Sequence, residues 1–295
     1  MSALRPKYEE LQSIYDISNE FFELFLGPTM GYTCGYFEHD DSTIDEAQNA
    51  KFDLALGKLN LEPGMTLLDI GCGWGGGMQR AIEKYDVNVI GLTLSERQRE
   101  YAVAKLAKVP TTRTVEVRLQ GWEEFDEKVD RIVSIGAFEH FGHDRYDAFL
   151  AKSYDALPAD GTMLLHTITG LNLADSEKLG LKLTFEMARF AKFIMTEIFP
   201  GGRLPSVPMI EEKAAAAGFT VARVQLIGPH YVRTLQLWAE ALQAHRDEAI
   251  AVQSVEVYDR YDKYLNGCVP LFREGYLNLG QFTLQKAPGS QPLHK

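Results

Sequence analysis

Leu67-Leu68-Asp69-Ile70-Gly71-Cys72-Gly73-Trp74-Gly75-Gly76-Gly77 is the stretch whose reading decides the fold. An apolar run fits a buried parallel strand and carries an acid near its end. Glycines then stand at alternate positions, Gly71, Gly73 and Gly75, before a helical pattern opens at Met78. Strand, tight turn and helix in that order put bare backbone and the positive end of a helix at the carboxyl edge of a sheet. A cofactor can approach there without meeting a β-carbon.

The flanking sequence continues the pattern. Thr43 and Glu46 make a capping-box pair for a helix to about Leu59, and Glu62-Pro63-Gly64 turns into a strand over 66–70. Further strands are expected at 87–93, 115–119, 131–135 and 162–168, with helices to about Tyr85, from Ser95 to about Lys108, and from about Tyr146 to Leu157. Alternating strands and helices predict right-handed crossovers and a parallel sheet. A helix near 210–217, a strand at 220–226, helices from about Thr234 to Leu265 and a strand near 280–284 complete it. Before the sheet, Leu11, Ile14, Tyr15, Ile17, Phe21, Phe22, Phe25 and Leu26 recur near helical spacing. Between Gly170 and Pro205 regularity lapses into a segment rich in Leu, Phe, Ile and Met. The expected organisation is one domain over 1–286, with a helical cover at 1–60, a helical insertion at 170–205 and a disordered tail at 287–295.

With 295 residues and 45% hydrophobic content, the chain can bury a sizeable core. A net charge of −11 argues against a nucleic-acid partner, which needs a basic surface. Cys34, Cys72 and Cys268 have neither disulfide-framework nor zinc-site spacing, so a reducing cytoplasm fits and no metal is expected. The first residues lack the apolar core of a signal peptide. No run approaches the roughly 20 apolar residues of a membrane span.

Gly71-x-Gly73-x-x-Gly76 also satisfies a loose dinucleotide fingerprint. A dinucleotide site usually has an acid at the end of the second strand for the ribose, whereas this strand runs out as Leu92-Thr93-Leu94-Ser95. Asp69, in D-x-G-x-G-x-G, reads better as part of an S-adenosylmethionine site. Gln98 is the N3 partner of a Ser95 capping box, and Trp122 directly follows the third strand, where adenine would stack.

Leu68-Asp69-Ile70-Gly71-Cys72-Gly73-Trp74-Gly75 resembles the cofactor turn of the cyclopropane fatty acid synthases, and other segments agree. They include Tyr32-Thr33-Cys34, Gln120-Gly121-Trp122, Gly136 to Phe141, His166-Thr167, Phe199 to Gly202, and Tyr231 with Cys268. The resemblance covers nearly the whole chain and is closest to the mycobacterial mycolic acid cyclopropane synthases and methyltransferases. It implies a class I S-adenosylmethionine-dependent methyltransferase fold, an α/β fold with a seven-stranded, mostly parallel sheet. It also implies methyl transfer to a double bond of a long meromycolyl chain. The implied cofactor contacts are Tyr32, Thr33, Asp69, Gly71, Gly73, Gly75, Thr93, Gln98, Trp122 and Glu123.

Methylation of an alkene leaves a carbocation that must lose a proton before a three-membered ring closes, and a lone carboxylate in an apolar cleft is costly to desolvate. The resemblance implies that a bound bicarbonate is the base, held by the backbone at Cys34 and by Glu139, His166 and Tyr231, with Cys268 near the reacting centre. Cys268 otherwise reads as a small buried apolar residue. His140 and His143 read as packing or surface residues, and His230 is open. The family's substrates ride on an acidic acyl carrier protein, so a local basic face is expected among Arg5, Lys7, Lys182, Arg189 and Lys192. The insertion and the N-terminal aromatic helices are expected to wall an acyl tunnel. The alternatives are a methyltransferase of a small acceptor and a cofactor-binding protein without catalysis.

Overall fold

The computed structural model describes residues 5–6, 17–171, 173–182 and 184–286. The helical pattern over 11–16, Lys7, Leu183 and the tail at 287–295 lie outside the described residues.

Seven strands form one sheet: β1 (Thr66–Ile70), β2 (Asn88–Thr93), β3 (Val115–Leu119), β4 (Arg131–Ile135), β5 (Thr162–Gly170), β6 (Phe219–Leu226) and β7 (Leu277–Lys286). Their order is β3-β2-β1-β4-β5-β7-β6, parallel throughout except that β7 runs antiparallel to both its neighbours. The chain moves outward from β1 through β2 to β3 and returns to the other side of β1 as β4. The carboxyl ends of β1 and β4 therefore bound the crevice where an open α/β sheet binds its ligand.

Apolar side chains on both faces of β1 explain its central place. Leu68 and Ile70 join the core under the helices Tyr146–Ala156 and Val207–Ala216. Leu67 joins the opposite core with Val89, Met78 and Leu56, under the helices Ile44–Leu56 and Gly76–Tyr85. A third core is largely aromatic. Phe21, Phe22 and Phe25 of the helix Asn19–Leu26 pack on Trp238 of the helix Gly228–Ala244 and Tyr261 of the helix Val255–Arg273.

The capping box of Thr43 and Glu46 forms as expected. The Ser95 box is half-formed. Ser95 Oγ accepts from the Gln98 N–H, but the Gln98 side chain accepts from Thr93 Oγ1 at 2.9 Å instead of returning to the cap. The helical region expected from Thr234 starts earlier, at Gly228, because Pro229 suits a first helical turn. It is also broken into Gly228–Ala244, Arg246–Val252 and Val255–Arg273. Within the insertion, Leu173–Lys178 and Phe185–Phe193 are helical and Ile194–Ile198 widens into a π turn. Among the described residues no helix is long and apolar enough to cross a membrane.

Candidate active site

Two pockets open at the carboxyl edge. The first lies over the glycine turn and is lined by Tyr32, Thr33, Asp69, Gly71, Gly73, Thr93, Gln98 and Trp122. Gly71 and Gly73 both have positive φ, +81° and +53°, but for different reasons. A β-carbon on Gly71 would come 2.5 Å from the Ala137 β-carbon, so this glycine lets the turns after β1 and β4 touch. Among the described residues, a β-carbon on Gly73 would meet no atom within 4 Å.

Gly75 and Glu123 lie outside the lining of this pocket. Gly75 is the left-handed N-cap of the helix Gly76–Tyr85, and a β-carbon there would press on Ala102 at 3.1 Å. Glu123 turns away to pair with Arg145 at 2.7 Å, and both side chains are nearly buried. Burial still raises its carboxyl above the usual range.

Three features fit S-adenosylmethionine. The helix after the turn has no side-chain cap, so its first N–H groups suit an amino-acid carboxylate. Asp69 is buried, and desolvation lifts its carboxyl to about 7 against the opposing pull of the Lys51 charge. A cationic ligand would restore its charge. Trp122 lines the pocket, where adenine could lie, and its ring is held by packing on Phe141 and Phe149.

The second pocket is a cavity of about 400 Å³ beneath the insertion. Glu139, His166, Tyr231 and Cys268 line it, together with apolar groups that include Phe190, Ile194, Phe199 and Leu279. Four elements deliver the polar groups. Glu139 sits in a short turn after β4, Tyr231 in the first turn of Gly228–Ala244, and Cys268 in Val255–Arg273. His166 lies inside β5, because the strand runs on to Gly170, two residues beyond the expected end at 168. It still reaches the crevice because it pairs with Ile135, the last residue of the shorter β4.

Burial raises Glu139 to about 7, although its Oε1 accepts from the Ile168 N–H at 2.6 Å. Its Oε2 and the Nε2 of His166 are buried with no protein partner among the described residues. Tyr32 Oη and His140 Nδ1, on two further lining residues, are in the same state, and unsatisfied polar atoms around one largely apolar cavity fit a small hydrogen-bonding guest. The folded-state value of Glu139 lies above its ordinary 4.5, so its buried carboxyl destabilises the fold increasingly as pH rises through that window. The melting temperature of Glu139→Gln minus that of wild type should therefore grow between pH 4.5 and about 7 and then level off. A flat difference across that range would show that the carboxyl is solvated.

The Cys34 side chain lines neither pocket. It is fully buried, its thiol donates to the Gly35 carbonyl at 3.1 Å, and burial raises its pKa. Burial lifts Cys268 to about 12, which favours the neutral thiol over the thiolate a nucleophile needs. Cys268→Ala should retain turnover within about threefold, read from initial rates, as expected for a small apolar lining residue.

The basic candidates separate. Lys182, Arg189 and Lys192 are exposed on the insertion, close in sequence to the cavity-lining Phe190 and Ala191. The carbonyl of Arg5 instead accepts from Arg145, and Pro6 lies against Gly121, at the Trp122 end of the first pocket. Leu179 and Phe185 of the insertion point outward, 62% and 85% exposed. The helix Asn19–Leu26 does not wall the cavity but backs Tyr32, which does.

Sequence reasoning passes over Lys51 and Gln48, and it reads His140 and His143 only as packing or surface residues. Lys51 is fully buried, donates to Thr33 Oγ1 at 2.7 Å, and is lowered by burial to about 7. Gln48 donates to the Thr33 carbonyl at 2.7 Å. Both share the face of Ile44–Leu56 that buries Ala47, Phe52 and Ala55, and polar side chains on an apolar face were the available signal. His140 lines both pockets, and burial lowers it to about 4. His143 lines the cavity as well. His230 accepts from the Phe37 N–H at its Nδ1 and is a structural link.

A sheet of this order with a glycine turn at its switch point has the class I S-adenosylmethionine-dependent methyltransferase fold. Coclaurine N-methyltransferase, 22% identical, shares it at a TM-score of 0.77 over 96% of this chain and 89% of that one. Within that class, the model of the mycolic acid cyclopropane synthetase family matches residues 2–282, and the chain belongs to this family. It is 64% identical to the S-adenosylmethionine-dependent methyltransferase UmaA of Mycobacterium tuberculosis, over 97% of this chain and 100% of that protein. The structure of the cyclopropane synthase MmaA2 from Mycobacterium tuberculosis is 59% identical with a TM-score of 0.95, covering 96% and 99%. That of the mycolic acid cyclopropane synthase CmaA1, complexed with SAH and CTAB, is 61% identical with a TM-score of 0.93, again covering 96% and 99%.

Proposed function

We propose that the protein transfers the methyl group of S-adenosylmethionine to a double bond of a long meromycolyl chain in mycolic acid biosynthesis, giving a cyclopropane or a methyl-branched product. The observation that carries this is a shared wall. Tyr32, Thr33, Gly136 and His140 line both the glycine-turn pocket and the apolar cavity, so a methyl donor in one would face a chain in the other. Phe, Leu and Ile together are the largest group of side chains in the cavity lining, with Met195 and Ala191 beside them, which suits an alkyl chain better than a small polar acceptor.

The chain's residues divide the work. Asp69, Gly73, Thr93 and Gln98 hold and orient the donor, with Tyr32 and Thr33 at the boundary. The apolar lining restricts water, and how far it does so decides whether the cationic intermediate loses a proton to close the ring or is captured as a methyl-branched alcohol. Bicarbonate would supply the base that takes the proton as a ring closes. Glu139, His166 and Tyr231 are the side chains to hold it, with the backbone at Cys34, and the unpartnered Glu139 Oε2 and His166 Nε2 support this. Residues 1–286 act as one catalytic unit. Three free cysteines, all buried, support a reducing cytoplasmic location.

An acidic acyl carrier protein presents the chain, docking on Lys182, Arg189 and Lys192. Reversing these three charges should raise KM for carrier-bound substrate by roughly tenfold or more, since paired rim charges contribute at the level of association. An unchanged KM would remove the carrier from this account. The reaction itself is tested by mass spectrometry of mycolates from a host lacking and then regaining the gene. One-carbon additions that disappear and return support it, and an unaltered profile contradicts it.

A further inference from the structure

His166 stands directly opposite Gln281 in the antiparallel pairing of β5 with β7, so both side chains leave the same face of the sheet. Both are fully buried. Gln281 Nε2 lies 3.2 Å from His166 Nδ1, and Gln281 Oε1 lies 2.5 Å from Lys58 Nζ. Lys58 reaches in from the turn that follows the helix Ile44–Leu56 and is half-buried.

The chemistry of these three groups leaves one consistent arrangement. An ammonium offers only hydrogens, so the amide must turn its oxygen to Lys58. The amide NH₂ then faces the imidazole, and a ring nitrogen facing a donor must be the one without a proton. In the neutral ring the proton is therefore on Nε2. That atom is buried, has no protein partner among the described residues, and belongs to a side chain that lines the acyl cavity.

We infer that Lys58 and Gln281 act in series as positioning residues that hold His166 as an Nε2–H donor directed into the acyl cavity. The inference rests on the proposed site for its functional meaning, but the ring state stands or falls by itself. In this state His166 gives a hydrogen bond to an acceptor oxygen and cannot take a proton at Nε2. The cavity thus presents a donor at His166 beside the free carboxyl oxygen of Glu139. A small oxyanion that carries one O–H would match both.

The test is the tautomer of His166 in the full chain labelled with 15N-histidine, read by two-dimensional NMR and assigned by loss of its signals in His166→Asn. Wild type should show protonated Nε2 and unprotonated Nδ1. In Gln281→Glu the carboxylate can only accept, so the proton should move to Nδ1. Turnover should then fall roughly 10- to 100-fold, as when an outer partner that orients a histidine is removed, with cofactor affinity within about twofold of wild type. Lys58→Met frees the amide to rotate and should give a mixture of both tautomers. This second variant decides the matter if Gln281→Glu does not fold. A wild-type ring protonated at Nδ1, or Lys58→Met with an unmixed wild-type ring, overturns the inference. A proton moved to Nδ1 with undiminished turnover upholds the tautomer lock and removes His166 from the proposed reaction.

Discussion

Glu139→Gln should lower turnover by roughly 10²- to 10⁴-fold, the range for disabling a base in the transition state, here by losing a side chain that holds it, while S-adenosylmethionine binds within about twofold of wild type. The separation follows from placement. Glu139 lines the acyl cavity and is absent from the lining of the glycine-turn pocket. Its Oε1 is engaged by the Ile168 N–H, which a glutamine carbonyl reproduces, so the fold should tolerate the change. Its Oε2 is the atom with no protein partner, and an amide NH₂ there replaces an acceptor with a donor. Rates with a long-chain alkene substrate and cofactor titration by calorimetry check both halves. Equal loss of both would make Glu139 a structural residue.

Gly73→Val should abolish measurable cofactor binding in a protein that still folds, whereas Gly71→Ala should chiefly damage the fold. A β-carbon at Gly73 meets no atom of the described residues within 4 Å, and a valine there would fill the space over the turn that a cofactor needs. Its cost to folding is the left-handed backbone, about 1–2 kcal/mol. At Gly71 even one methyl group would sit 2.5 Å from the Ala137 β-carbon and push the turns after β1 and β4 apart. Calorimetric titration and thermal melts of both variants separate the effects. Tight binding by folded Gly73→Val would refute the location of the cofactor.

The strand-turn-helix at Leu67–Gly77 was legible because apolar runs, glycine and an acid each carry a local meaning. The alternation of strands and helices likewise foretold a parallel sheet. The entry of β7 between β5 and β6 was not legible, since sequence order does not state strand order. The pairing of His166 with Gln281 was therefore hidden too, although a glutamine between Gly280 and Phe282 in an apolar strand was a visible anomaly. Glu123 shows the reverse limit. Its neighbour Trp122 lines the pocket, but Arg145, 22 positions later in the chain, draws its carboxylate away. Such a partner is fixed by tertiary packing. Lys51 left only a weak trace in the sequence, a lysine on the apolar face of an otherwise ordinary charged helix, and its burial shows what that trace meant.

The central claim is that a methyl group crosses the wall shared by the two pockets and lands on an alkene carbon. The direct measurement is mass spectrometry of a long-chain cis-alkenoyl substrate after incubation with the protein and trideuteromethyl-labelled S-adenosylmethionine. A cyclopropane should carry two of the three deuterium atoms, because one leaves as the ring closes, and a methyl-branched product should retain all three. Label found only on a small nucleophilic acceptor, with the alkene chain unchanged, would contradict the account.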